Sequence, residues 1–154
     1  MKLTEEQSEF VERVGRWWEA AGSRTAGRIL GWLMICDPPY RSAAQLVTEL
    51  GVSAGSVSTQ IRPLDNVGFI DKVTFPGDRA TYYQLKPDVW AEIMSRETEY
   101  VKTLRDIAEA GTHVLPKERP ERVTGLGLVT DFLLERWPAV LDEMIDYLEK
   151  AREQ

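Results

Sequence analysis

A 44-residue stretch, Ser42 to Leu85, limits what this chain can become more than any other part of it. Ser42-Ala-Ala-Gln45 has the spacing of a capping box, in which the Ser hydroxyl takes an orphan helix N–H and the Gln reaches back to the cap. Ala44, Leu46, Val47 and Leu50 follow at helical spacing, and Gly51 supplies the permissive backbone that ends the helix. Ser53 then caps a second helix. Its buried stripe is Val57, Ile61 and Leu64, at i, i+4 and i+7, and Gly68 lies just past its end. Beyond it, Phe69–Phe75 and Ala80–Leu85 are rich in β-branched and aromatic residues, with Pro76-Gly77-Asp78-Arg79 between them as turn chemistry. Helix, Gly-containing turn, helix and hairpin make a winged helix-turn-helix, whose second helix can enter a DNA major groove.

The outward face of that second helix carries the functional reading. At 100° per residue, inward Val57, Ile61 and Leu64 leave Gly55, Ser58, Thr59 and Arg62 pointing away, flanked by Ser56 and Gln60, with Ser53 at the cap. A solvated helix usually carries Glu and Lys there. Small side chains instead permit close backbone approach, hydroxyls bind phosphates or base edges, and Arg forks onto guanine. The plain alternative is a core helix with an idle polar face. At the hairpin tip, Arg79 is placed to reach a narrow minor groove, with Asp78 as the brace that orients it. Taken by itself the hairpin is explained as simply by Gly-Asp turn chemistry and a solvated Arg79.

These residues resemble the MarR-type winged-helix regulators, in particular the branch named for glycine betaine synthesis (GbsR-like). Gly27-Arg-Ile-Leu-Gly-Trp-Leu33 is similar to the second-helix signature of that branch. Val52-Ser-Ala-Gly-Ser-Val-Ser58 is similar to the start of its recognition helix, Leu64-Asp-Asn-Val-Gly68 to the helix exit, and Gly77-Asp-Arg79 to the wing tip. The resemblance implies a homodimer on palindromic double-stranded DNA, with recognition helices in major grooves and the wing Arg in a minor groove. Pro63 departs from the pattern, since inside a helix it removes a backbone bond and kinks the last turn.

The flanks read as helices. Thr4-Glu-Glu-Gln7 is a further capping box, followed by Phe10, Val14, Trp17, Trp18 and Ala21 as an apolar stripe until Gly22-Ser23 breaks it. Arg24 to Ile35 forms the next helix, closed by Asp37-Pro-Pro39. After the wing, Lys86-Pro-Asp88 opens a long helix that ends near Gly111. Leu115–Pro120 is a loop, and roughly 121–152 a last amphipathic helix that Pro138 should bend or split. The expected architecture is mainly α with a small β-hairpin wing, in three parts: an N-terminal dimerisation helix over 1–23, the winged helix-turn-helix over 24–86, and a C-terminal helical dimerisation region over 87–154. Two long amphipathic helices outside a compact unit favour a two-fold homodimer over a monomer that covers them itself.

Composition bounds the rest. A net charge of −6 opposes DNA as a whole. Residues 41–86, however, hold 5 basic against 4 acidic residues, while 87–154 hold 9 against 15, so the excess acid is C-terminal. Few phosphate contacts and a shallow salt dependence follow. One histidine, His113, and one cysteine, Cys36, exclude a metal cluster or an imidazole relay, and Gly27-x-x-x-Gly31 reads as close helix packing rather than a phosphate loop. Neither enzyme, cofactor nor metal is expected. The absence of an apolar span or signal peptide leads us to expect a cytoplasmic protein with no membrane association.

Trp17, Trp18 and Trp32 fall near the junction where related regulators hold effectors, and aromatic faces there could cage a choline-like cation. Aromatic residues at helical spacing are more often core. The function expected is a sequence-specific DNA-binding transcriptional regulator, a homodimeric repressor relieved by a small-molecule effector. The competing reading is a winged-helix protein-interaction module without DNA binding, which the acidic balance suits.

Overall fold

Local chemistry starts each helix of the N-terminal half where the sequence indicates. The computed structural model describes residues 2–114 and 121–153, so the loop expected over 115–120 lies outside the described residues. Helix α1 spans Glu5–Trp18, with Thr4 and Gln7 forming the reciprocal capping box. Helix α2 spans Arg24–Ile35 and is capped by Ser23, whose side chain accepts the Ala26 N–H. Helix α3, Ala43–Leu50, begins at the Ser42–Gln45 box and stops at Gly51, which sits at φ 64° in the left-handed region. Helix α4, Ala54–Asn66, is capped by Ser53 and runs through Pro63. The proline removes one donor near the end of the helix, and the next turn is still closed by Val67 N–H to the Pro63 carbonyl at 3.1 Å.

The wing is a three-stranded antiparallel sheet, one strand more than the expected hairpin. Strand β1 (Arg41–Ser42) and strand β2 (Ile70–Val73) both pair with β3 (Tyr82–Leu85), giving the order β1-β3-β2. The register places Arg41 opposite Tyr83, Ser42 opposite Tyr82, and Ile70 opposite Leu85. The chain divides into two compact units, Met1–Val89 and Trp90–Gln154. Helix α1 packs on α2 inside the first unit, together with the helix-turn-helix and the wing.

The α1–α2 contact is built on glycine rather than on the stripe read from the sequence. Its buried residues on α1 are Val11, Gly15 and Trp18, while Trp17 is 58% exposed and α1 ends before Ala21. A Cβ placed at Gly27 would lie 2.5 Å from the Trp18 Cβ, 2.8 Å from the Val14 carbonyl and 2.9 Å from the Gly15 Cα. The two helices therefore touch backbone to backbone. Ile29, Leu30, Trp32 and Leu33 of α2, Leu46 and Leu50 of α3, and Val57, Ile61 and Leu64 of α4 fill the core beneath. Each large side chain there contributes roughly 1.5–3 kcal/mol by leaving water.

In the second unit, helix α5 (Val89–Val114) and helix α6 (Glu121–Arg152) run antiparallel. The Trp137 indole donates to the Met94 carbonyl, Arg105 pairs with Asp131 at 2.6 Å, and Gly111 faces Val123. Helix α5 starts one residue after Asp88, which sits at φ 58°, and continues past Gly111, the expected end. Helix α6 is unbroken at Pro138, so the expected split does not occur. Leu128, Val129, Phe132, Val140 and Tyr147 of α6 stay exposed. No helix among the described residues is long and apolar enough to cross a membrane. Gly27→Ala should cost about 1–3 kcal/mol through overpacking, read as a lower midpoint in chemical denaturation. An unchanged midpoint would mean that α1 and α2 do not approach this closely.

Candidate nucleic-acid interface

Three inward side chains set which residues α4 turns outward. With Val57, Ile61 and Leu64 buried, Ser53, Gly55, Ser58, Thr59 and Arg62 are exposed and Ser56 is half-buried. Space for a Cβ at Gly55 is open, with nothing within 4 Å, so that face of the helix is unobstructed. The Ser53 hydroxyl is occupied as the cap, accepting the Ser56 N–H at 3.1 Å. The Thr59 hydroxyl donates to the Gly55 carbonyl at 2.8 Å, which leaves its lone pairs and methyl group facing out. The Arg62 guanidinium makes no hydrogen bond or ion pair among the described residues. The one acid of the helix, Asp65, is paired with Lys72 of β2 at 2.5 Å.

Gln60 differs from the reading as a groove contact. Its Oε1 accepts the Ser23 hydroxyl at 2.5 Å, across 37 residues of chain. Because Ser23 also caps α2, Gln60 ties α4 to the start of α2. Its amide carbonyl is committed to the scaffold.

The wing tip is a tight turn held from below. Gly77 at φ 83° follows Pro76, and the Asp78 N–H returns to the Phe75 carbonyl at 3.1 Å, the pattern of a type II turn. Asp78 does act as a brace, but on the loop rather than on the Arg79 guanidinium. Its two oxygens accept the Ala80 N–H at 2.8 Å and the Tyr82 hydroxyl at 2.7 Å. The Ala80 N–H, then the Tyr82 hydroxyl, hold the Asp78 carboxyl below its ordinary value, and the same bond raises the Tyr82 phenol. Arg79 is exposed at the tip. Tyr40, Phe75 and Tyr82 form a triangle of rings 4.9–5.3 Å apart at the wing's base.

The tryptophans do not converge as a cage. Trp17 meets Trp18 edge-on at 5.6 Å, but Trp18 is only 8% exposed and packs on Phe69 at 4.9 Å. Trp32 is 1% exposed, its N–H donates to Glu49 at 2.6 Å, and the Arg41 guanidinium lies 5.3 Å from its ring centre. Trp32 is a core residue whose face is already used. Arg41 and Glu49 escaped the sequence reading altogether. Cys36 is buried, and burial pushes its thiol up. His113 is exposed in the last turn of α5. Groups able to hold a metal ion are absent among the described residues.

A family described as the MmpR5-like MarR family transcriptional regulators matches residues 88–147. The HTH-type transcriptional regulator MmpR5 of Mycobacterium tuberculosis (strain ATCC 25618 / H37Rv) is 36% identical over 146 residues, covering 94% of this chain and 88% of the relative. The chain belongs to the MarR family of transcriptional regulators. A solved structure described as the crystal structure of a transcriptional regulator agrees with this MarR-family fold at a TM-score of 0.78 and 32% identity, covering 92% of this chain and 99% of that one. The family model that matches is described as MmpR5-like, which is compatible with the GbsR-like resemblance of the sequence motifs. As a MarR-family member the protein is a regulator and not an enzyme.

Because Asp78 has a lowered pKa in the folded wing, its stabilising bonds are present above the ordinary aspartate value of 3.8 and are lost as pH falls through the lowered value. The Ala80 amide should therefore exchange faster with solvent once pH drops below that ordinary value, beyond the intrinsic pH trend. Asp78→Asn should remove this pH step. An Ala80 protection factor that is flat across the window in the native chain would contradict the brace.

Proposed function

We propose that this MarR-family regulator is a homodimeric repressor that binds a palindromic double-stranded operator and acts in the cytoplasm. The observation that carries the reading is the outward face of α4: small residues and hydroxyls around an exposed Arg62, with the one acid of the helix neutralised by Lys72. Ser58 and Thr59 contact phosphates or base edges, Arg62 reads a base in the major groove, and Arg79 at the wing tip enters the minor groove. Gly55 lets the helix backbone approach closely. Exposed Leu128, Val129, Phe132 and Tyr147 on α6 support a two-fold partner, since a monomer rarely leaves so many large apolar side chains in water. Promoter occupancy by such a dimer would block polymerase. Effector relief is not assigned to the tryptophans, because Trp18 and Trp32 have no free face.

A gel shift with the protein's own upstream DNA at two salt concentrations tests this directly. Sequence-specific retardation that weakens only modestly with salt supports the operator reading. No retardation at low salt supports the acidic interaction module instead. Within the first outcome, Arg62→Ala should cost about 1–3 kcal/mol of binding and relax specificity at one base position. Gly55→Ala separates stability from contact. It should raise stability by roughly 0.5–1 kcal/mol while weakening DNA binding, because open space around Gly55 is space the duplex would occupy. A Gly55→Ala variant that is more stable and binds unchanged would move the DNA off this face.

A further inference from the structure

Beyond its place over the Trp32 ring, the Arg41 guanidinium makes four polar contacts, none of them part of the outward α4 face or of the wing tip. Arg41 is 3% exposed, and the side chain of Glu49, its ion-pair partner at 2.9 Å, is 8% exposed. Its other nitrogens donate to the carbonyls of Pro38 at 2.7 Å, Tyr40 at 2.8 Å and Asp37 at 3.0 Å. The same Glu49 oxygen accepts the Trp32 indole N–H. One side chain thereby joins α2, α3 and the whole 37–40 loop. A planar fork with five donors suits this and an ammonium does not.

The backbone of the same residue belongs to the wing. Arg41 and Ser42 are strand β1, paired with Tyr83 and Tyr82 of β3, and Ser42 is also the cap of α3. The loop that the guanidinium gathers carries Tyr40, whose ring packs on Phe75 and Tyr82 at the base of the wing tip. Two routes, one through strand pairing and one through ring contact, thus lead from the buried fork to the turn that holds Arg79. The wing is anchored at its base by buried Ile70, but residues 74–79 at its tip are all exposed, so few apolar contacts fix the attitude of the tip.

We propose that Arg41 is a positioning residue for DNA binding: by clamping the 37–40 loop and β1 onto α3, it fixes the wing, and hence Arg79, relative to the recognition helix. The inference rests on the DNA-binding reading for its functional half, and its structural half can be measured without DNA.

Two variants and two readouts test it. Arg41→Lys keeps the charge beside Glu49 but cannot reproduce the fork. Tyr40→Leu removes the ring contacts and leaves the carbonyl that Arg41 uses. In the free protein, amides of residues 70–85 should exchange about tenfold faster in either variant, while those of 57–64 change by less than about twofold. On operator DNA, either variant should weaken binding by about the same factor as Arg79→Ala, roughly tenfold, and the double variant with Arg79→Ala should bind within about twofold of Arg79→Ala alone. Losses that multiply in the double variant, or exchange that rises equally in wing and recognition helix, would make Arg41 a general core residue and overturn the proposal. If Arg41→Lys does not fold, Tyr40→Leu decides by the same criteria. If the unaltered protein retards no DNA, the operator reading fails, and the exchange comparison still decides whether Arg41 fixes the wing.

Discussion

The rotation of α4 about its own axis is fixed by three side chains. Val57, Ile61 and Leu64 are buried together, and turning the helix by one residue would put at least one of them into water at a cost of roughly 1.5–3 kcal/mol. That apolar constraint, not any polar bond, decides that Ser58, Thr59 and Arg62 look outward. The polar bonds then refine the position. Gln60 to Ser23 ties the middle of the helix to α2, and Asp65 to Lys72 ties its end to β2. The Ser53 and Ser42 caps set where each helix of the pair begins.

Charge is arranged by the same economy. The first unit is not basic, and several of its cations are spent internally: Arg24 and Arg28 on Glu12, Arg41 on Glu49, Lys72 on Asp65. Arg24 and Glu12 are partly exposed, so their pair holds little stability on its own. What it does is remove Glu12 from the surface field. Arg62 and Arg79 lack such partners among the described residues, as do Lys2 and Arg16, but Arg62 and Arg79 are the ones carried by α4 and the wing tip. An acidic chain can present local cations on one face when the acids nearest them are paired, as Asp65 is with Lys72.

Much of this was legible in the sequence because the signals were local. Capping boxes at Thr4 and Ser42, the Gly51 stop, the α4 stripe and the Pro76-Gly77 turn each depend on residues a few positions apart, and each is present. What escaped was non-local or ran against a rule of thumb. A two-residue strand has no periodicity to detect, so β1 was invisible. Arg41 and Glu49 are eight residues apart on different elements, and their burial comes from tertiary packing. The α1 face was read one position out of phase because Gly15 does not count as apolar. Its missing side chain is nevertheless what lets α2 come close, so Val11 and Trp18 go inward and Trp17 goes out. Gln60 was read as flanking the outward face, and its carbonyl is held by a serine 37 residues away, which no local pattern announces.

Cys36 offers a practical dividend. It is the sole sulfhydryl of the chain, it lies buried after the last turn of α2, and desolvation keeps it in the unreactive protonated form. Thiol-directed dyes or nitroxides will thus pass over the native residue. A cysteine introduced at an exposed point can be tagged selectively without first deleting Cys36 from the core. The fold already carries the silent background that site-directed spectroscopy requires.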